Sequence, residues 1–184
     1  MQVELKVNDK SVQAEISEEQ LKETILFEQL KKLGLIEDKP RTGYERVEKG
    51  EMYYLVDIYN NIMRVTEDND QGDKQCYSTG NYYSDKIISE NNARADRLLR
   101  QLRQWQALND RAINWKNKDI RKYTIRYDYA MNMFNVIPNV CERCLNDVYF
   151  TTRETAQRAI NVFKAELEWY FTQYQQRLDE EQGE

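Results

Sequence analysis

Apolar and polar residues alternate with a period of two over Val3–Val7 and again over Val12–Ile16, on either side of the turn-forming Asn8-Asp9-Lys10. That pattern predicts a β-hairpin. Ser17 stands three residues before Gln20, the spacing of a capping box, and predicts a helix over about Glu18–Leu33 with Gly34 placed to stop it. Its apolar positions, among them Leu21, Ile25, Leu30 and Leu33, cover more than one face. A polar stretch with Pro40 and Gly43 then reads as a linker over residues 37–43, separating a ββα appendage (residues 1–36) from the main body.

The body reads as two copies of one β-hairpin–strand–helix unit, residues 44–112 and 113–178, followed by a disordered tail at 179–184. In the first copy, strands are predicted at Tyr44–Val47, Met52–Ile58, Ile62–Val65 and Gln75–Ser78, then a helix over Ser89–Asp110. In the second, a hairpin of Tyr123–Tyr129 and Met133–Ile137 leads through a loop to Val148–Thr151 and a helix ending near Tyr174. Asn81-Tyr82-Tyr83-Ser84 corresponds to Val148-Tyr149-Phe150-Thr151, and Glu90-x-x-x-Arg94-Ala95 to Glu154-x-x-x-Arg158-Ala159. Hairpins followed by helices predict an α+β fold, with antiparallel sheets covered by long helices.

Composition narrows the chemistry. The 184 residues include 13 Tyr and 5 Phe, enough large side chains for a core, but no His. Without His there is no ordinary catalytic triad or Cys-His pair, and no imidazole metal ligand. No Gly-rich phosphate loop or nucleophile elbow occurs, so no catalytic residue and no cofactor are expected, and the chain reads as a non-enzyme. No apolar run approaches the length of a membrane span and no signal-peptide core opens the chain, which predicts a cytoplasmic protein.

The net charge of −5 is unevenly spread: residues 1–90 carry −7, residues 91–126 carry +7 and residues 127–184 carry −5. On the first long helix Ala95, Leu98, Leu99, Leu102 and Trp105 form one stripe, and Arg97, Arg100 and Arg111 fall opposite it, with Arg94 and Arg103 further round. Lys116, Lys118, Arg121, Lys122 and Arg126 follow. Arg97, Arg100, Arg103 and Arg111 are therefore the candidate basic face for phosphates or an acidic protein; the plain alternative is a solvated surface. Asp68, Asp70 and Asp73 form an acidic loop that fails the calcium-loop pattern and reads as solvated, or as an electronegative docking patch.

Cys141-Glu142-Arg143-Cys144 is a C-x-x-C without a second pair; Cys76 would add a third ligand only if the loops met, and no metal is expected. On the last helix Ala156, Ile160, Phe163, Leu167, Phe171 and Tyr174 make a core stripe. Val162, Ala165 and Trp169 make a second one; since leaving this indole and its apolar neighbours in water is unfavourable, the stripe predicts a homodimer interface, the rival being packing within the chain.

Gly43-Tyr44-Glu45-Arg46-Val47-Glu48-Lys49-Gly50-Glu51-x-Tyr53-Tyr54, Tyr77-Ser78-Thr79-Gly80-Asn81-Tyr82-Tyr83 and Val148-Tyr149-Phe150-Thr151-Thr152-Arg153-Glu154-x-Ala156 resemble small accessory proteins of phages and prophages of low-GC Gram-positive bacteria. The likeness spans about residues 43–171. It implies a phage accessory role in the host cell, and some proteins of that size and origin inhibit host defence, including anti-CRISPR proteins that act on type II nucleases by protein–protein contact. It supplies no functional residue to carry over. The alternatives are a nucleic-acid-binding accessory protein that uses residues 94–126, and a virion structural or assembly protein.

Overall fold

A computed structural model describes residues 2–7, 10–15, 17, 40–140 and 142–180. The chain divides into two compact units, residues 1–40 and 41–184. In the first, strands β1 (Gln2–Val7) and β2 (Lys10–Glu15) pair antiparallel, with Val3 opposite Ala14 and Leu5 opposite Val12. The hairpin predicted from the alternation is present. The helix predicted over 18–33 lies outside the described residues, as does the tail beyond residue 180.

The second unit opens with an antiparallel pair, β3 (Met52–Val56) and β4 (Ile62–Thr66). The Asp57 carboxylate closes their turn by accepting the N–H groups of Tyr59 and Asn61 at 2.8 and 2.7 Å. Helix α1 (Gln71–Ser78) follows. Tyr83 then bridges antiparallel to Tyr54, and helix α2 (Lys86–Asn109) starts at Asp85, whose carboxylate accepts from the N–H groups of Ile87 and Ile88. A second sheet is ordered β6-β5-β7, from β5 (Lys122–Asp128), β6 (Met133–Asn139) and β7 (Tyr149–Phe150), all antiparallel. Helix α3 (Arg153–Thr172) is capped by the Thr152 hydroxyl. The fold is α+β, with small antiparallel sheets and long helices as the sequence implies.

The core lies between α2, α3 and the three-stranded sheet, built from Leu98, Leu102, Ile125, Val136, Phe150, Ala156, Ile160 and Leu167. The predicted stripe of α2 is the buried one, so the phase read from the sequence is correct. Beyond α3 the chain returns to the start of this unit: the Leu178 N–H donates to the Thr42 carbonyl at 3.0 Å and the Tyr174 hydroxyl to Asn92 at 2.9 Å.

Two predicted strands are absent. Residues 44–47 form no ladder, because local groups take their polar atoms. The Tyr44 N–H donates to the Thr42 hydroxyl at 3.3 Å and the Val47 N–H to the Tyr82 hydroxyl at 3.2 Å, while the Glu45 carboxylate folds back onto the Thr42 and Gly43 N–H groups at 2.6 and 3.0 Å. Gly43 is needed there: its φ is +91°, and a Cβ would stand 2.7 Å from Ile88 Cγ1. Residues 75–78 lie in α1 and not in a strand. Asp70 and Asp73 cap that helix reciprocally, each side chain accepting the other's N–H at 2.9 and 3.1 Å, and this local nucleus decides the conformation of the short segment.

Candidate functional site: a basic cleft beside Trp115

The basic residues of the middle segment divide into those used by the fold and those left free. Arg94 forks onto Glu166 at 2.8 and 3.1 Å, and its guanidinium carbon lies 4.0 Å from the centre of the Trp169 ring. Arg126 binds Asp147 with two hydrogen bonds of 2.7 and 2.6 Å. Lys122 is buried, and its Nζ donates to the carbonyls of Asn117 and Val140 at 2.7 and 3.0 Å, tying together two loops. Arg100 donates to the Asn60 side chain. These four do structural work, which removes Arg94, Lys122 and Arg126 from the basic surface that the sequence suggested and leaves Arg100 partly engaged.

Arg97, Arg103, Arg111, Lys116, Lys118 and Arg121 are exposed, and their side chains make no hydrogen bond or ion pair among the described residues. Arg103 and Arg111 come together with Arg143 around an open depression of about 440 Å³ at the C-terminal end of α2. Arg97 and Arg100 do not join them. Trp115, Ile113 and Tyr149 supply the apolar part of the wall. The Arg143 guanidinium carbon lies 5.3 Å from the centre of the Trp115 ring, and the Tyr149 ring meets the indole edge-on at 4.9 Å between centres.

Two carboxylates also line the depression, and both are occupied. Asp110 accepts from the N–H of Thr151 at 2.7 Å, from its hydroxyl, and from the N–H of Arg111 at 2.8 Å. Asp147 holds Arg126 and accepts from the Tyr149 hydroxyl at 3.1 Å. Burial, with the nearby Asp147 charge adding to it, pushes the Tyr149 phenol up to about 12, so that hydroxyl keeps its proton at neutral pH and stays a donor. Among the described residues the three guanidiniums make no ion pair, and the two carboxylates are hydrogen-bonded elsewhere, Asp147 to Arg126 and Asp110 to uncharged donors. The sequence pattern singles out Arg103 and Arg111 as basic positions, but it carries Arg111 on the helix, whereas α2 stops at Asn109 with Asp110 extended, so Arg111 lies past the helix end. It misses Trp115, and it treats Arg143 only as part of the C-x-x-C, because the link from residue 143, in the loop after β6, to the end of α2 has no local signal.

The acidic loop is corrected by the same geometry. Asp70 and Asp73 are the helix cap; Asp73 is buried and also accepts from the Tyr53 hydroxyl at 2.9 Å. Only Asp68 of the predicted patch has an exposed carboxylate that the cap does not use. Beside it, buried Glu67 accepts from Arg46 at 2.9 and 3.1 Å and from the Tyr82 hydroxyl at 2.8 Å, and the Tyr53 and Tyr82 rings stack at 4.0 Å. Hydrogen bonding to Arg46 holds the Glu67 carboxyl below its usual range despite burial. Burial opposes the charged form of Asp73, but the N–H of Asp70 and the Tyr53 hydroxyl outweigh it and lower that carboxyl too.

The second stripe of α3 does not stay together. Trp169 is buried within the chain, under Arg94 and against Tyr174, while Val162 and Ala165 are exposed. The motive for a dimer through Val162, Ala165 and Trp169 was an exposed indole, and the indole is covered. Cys144 is exposed, its N–H donating to Tyr149, and Cys76 lies on α1; Cys141 is outside the described residues. Among the described residues no group of three or more His, Cys, Asp or Glu side chains is placed to hold a metal ion, and no helix is long and apolar enough to cross a membrane.

No known family, curated protein or solved structure matches this chain, so the likeness to phage accessory proteins stands on the quoted motifs alone.

Proposed function

We propose that this protein acts by binding and not by catalysis, and that its working surface is the basic cleft of Arg103, Arg111 and Arg143, which docks on an anionic macromolecule. The observation that carries this reading is that, among the described residues, three arginines converge on one depression without an ion pair, and both carboxylates in it are hydrogen-bonded to other groups. Arginine is suited to such a task, since its planar fork matches phosphate and carboxylate oxygens.

With the motif likeness, the target we propose is a host defence component, and specifically a type II CRISPR nuclease. Such a nuclease carries its guide RNA, so it offers phosphates as well as protein surface. The acidic loop is the weaker docking candidate, because Asp70 and Asp73 serve the fold. A nucleic-acid-binding accessory role is the second reading, and the same free arginines favour it.

Cleavage of a target duplex by a guide-loaded type II nuclease tests the proposal. The protein should slow cleavage, and Arg103→Glu/Arg111→Glu/Arg143→Glu should restore it. Unslowed cleavage with the unaltered protein overturns the nuclease as target. A triple variant that inhibits as well as the unaltered protein overturns the role of the cleft.

A further inference from the structure

The shape and lining of the cleft narrow the ligand further. A duplex presents a broad convex rod, whose phosphates a flat or grooved surface meets from outside. This depression is concave, and its volume of about 440 Å³ is in the range that takes one small organic group. Its rim is cationic and part of its wall is aromatic, since Trp115 stands between Arg143 and Tyr149. Cationic groups that track phosphates, beside aromatic or guanidinium planes that stack bases, are the two elements of a surface for unpaired strands. The carboxylate side chains of an acidic peptide would use the arginines but offer no flat ring to lay against the indole, whereas every base of a nucleic-acid strand does.

We infer that the cleft binds an unpaired stretch of nucleic-acid strand, with phosphates at Arg103 and Arg111 and a base against Trp115 or the Arg143 guanidinium that lies over it. This rests on the reading of the cleft as the working surface, and it names the ligand that surface takes. Trp115 is held for this role from behind: Tyr149 packs on its edge, and the Lys122 ammonium, fixed by the Asn117 and Val140 carbonyls, lies 5.7 Å from its centre.

The test compares three labelled probes on the full chain by fluorescence anisotropy: a short single strand of mixed sequence, the same sequence as a blunt duplex, and polyglutamate. The single strand should bind about tenfold or more tightly than the other two, and Trp115→Leu should weaken it about tenfold while polyglutamate changes by less than about twofold. Trp115→Phe, which keeps a ring, should retain most of the affinity. Since Trp115→Leu disturbs the Tyr149 contact and could unfold the loop, indole emission provides a second readout. The bound strand should quench it in the unaltered protein and polyglutamate should not. If the duplex or polyglutamate binds as tightly as the strand, or the strand leaves indole emission unchanged, the strand inference is overturned and the anionic-target reading survives. If none of the three binds in a salt-dependent way, both fall.

Discussion

Around Glu67 and Asp73 every carboxylate oxygen has a donor, whereas around Trp115 three guanidiniums converge and none is paired with a carboxylate among the described residues. Both clusters belong to the same compact unit and both are rich in aromatic rings. In the first, Arg46, Glu67, Tyr82, Tyr53 and Asp73 satisfy one another, and the result is a rigid support for the β3–β4 hairpin and the start of α1. In the second, the carboxylates face other partners, Asp110 toward the uncharged groups of Thr151 and Asp147 toward Arg126, so neither forks onto the three arginines, whose positive charge outweighs the negative charge of Asp110. Charged residues that are buried and mutually bonded hold a fold; charged residues that converge without pairing are free to bind.

The comparison is sharpened most by removing one member of the satisfied cluster. Glu67→Ala would leave the buried Tyr82 hydroxyl without its acceptor and the partly exposed Arg46 fork with only Asn69, at a cost of about 3 kcal/mol, most of it from the buried side. The melting temperature should fall by about 10 °C, with affinity for an anionic probe unchanged at temperatures where the variant is folded. A melting curve that does not move would mean that this network is replaceable by solvent.

Acid should act on the same cluster. Glu67 and Asp73 titrate below their ordinary values of 4.5 and 3.8, and hydrogen bonds from Thr42 and Gly43 outweigh burial to bring Glu45 down to about 2. A carboxylate with a depressed folded pKa contributes stability above its unfolded value and loses it as pH falls through the folded one. Stability should therefore decline from about pH 4.5 toward about pH 2, and Glu67→Ala should flatten part of that decline. Thermal melts across this range read both effects; an acid decline equally steep in the variant would remove Glu67 from the account.

Much of the fold was legible in the sequence because it rests on periodic patterns. The alternations gave the hairpins, and the Leu98–Leu102 stripe gave the buried face of α2. The errors came where a short local hydrogen-bond pattern overrode periodicity. Asp70 and Asp73 read as a solvated acidic patch but nucleate α1, and the Tyr44 and Val47 N–H groups go to the Thr42 and Tyr82 hydroxyls instead of a ladder. The site was half legible. Helix phase placed Arg103, while Arg111 lies past the end of α2, and pairing across the chain was invisible: Arg94 finds Glu166, Arg126 finds Asp147, and Arg143 reaches the end of α2 from the loop after β6. Trp169 shows the same limit, since the stripe that suggested a dimer is broken by an arginine on a distant helix.

The salt dependence of single-strand affinity, measured with the melting temperature for the unaltered chain and for Arg103→Gln/Arg111→Gln/Arg143→Gln, tests the central claim most directly. Each phosphate contact on a single strand contributes about 0.7 to the slope of log affinity against log salt. The triple variant should lose about 1.4 from that slope, the two phosphate contacts of Arg103 and Arg111, and melt nearly where the unaltered protein does, because exposed, unpaired arginines cost within about 0.5 kcal/mol each to replace. An unchanged slope, or a variant that unfolds, would contradict the account, the first by placing the binding elsewhere and the second by making these arginines part of the fold.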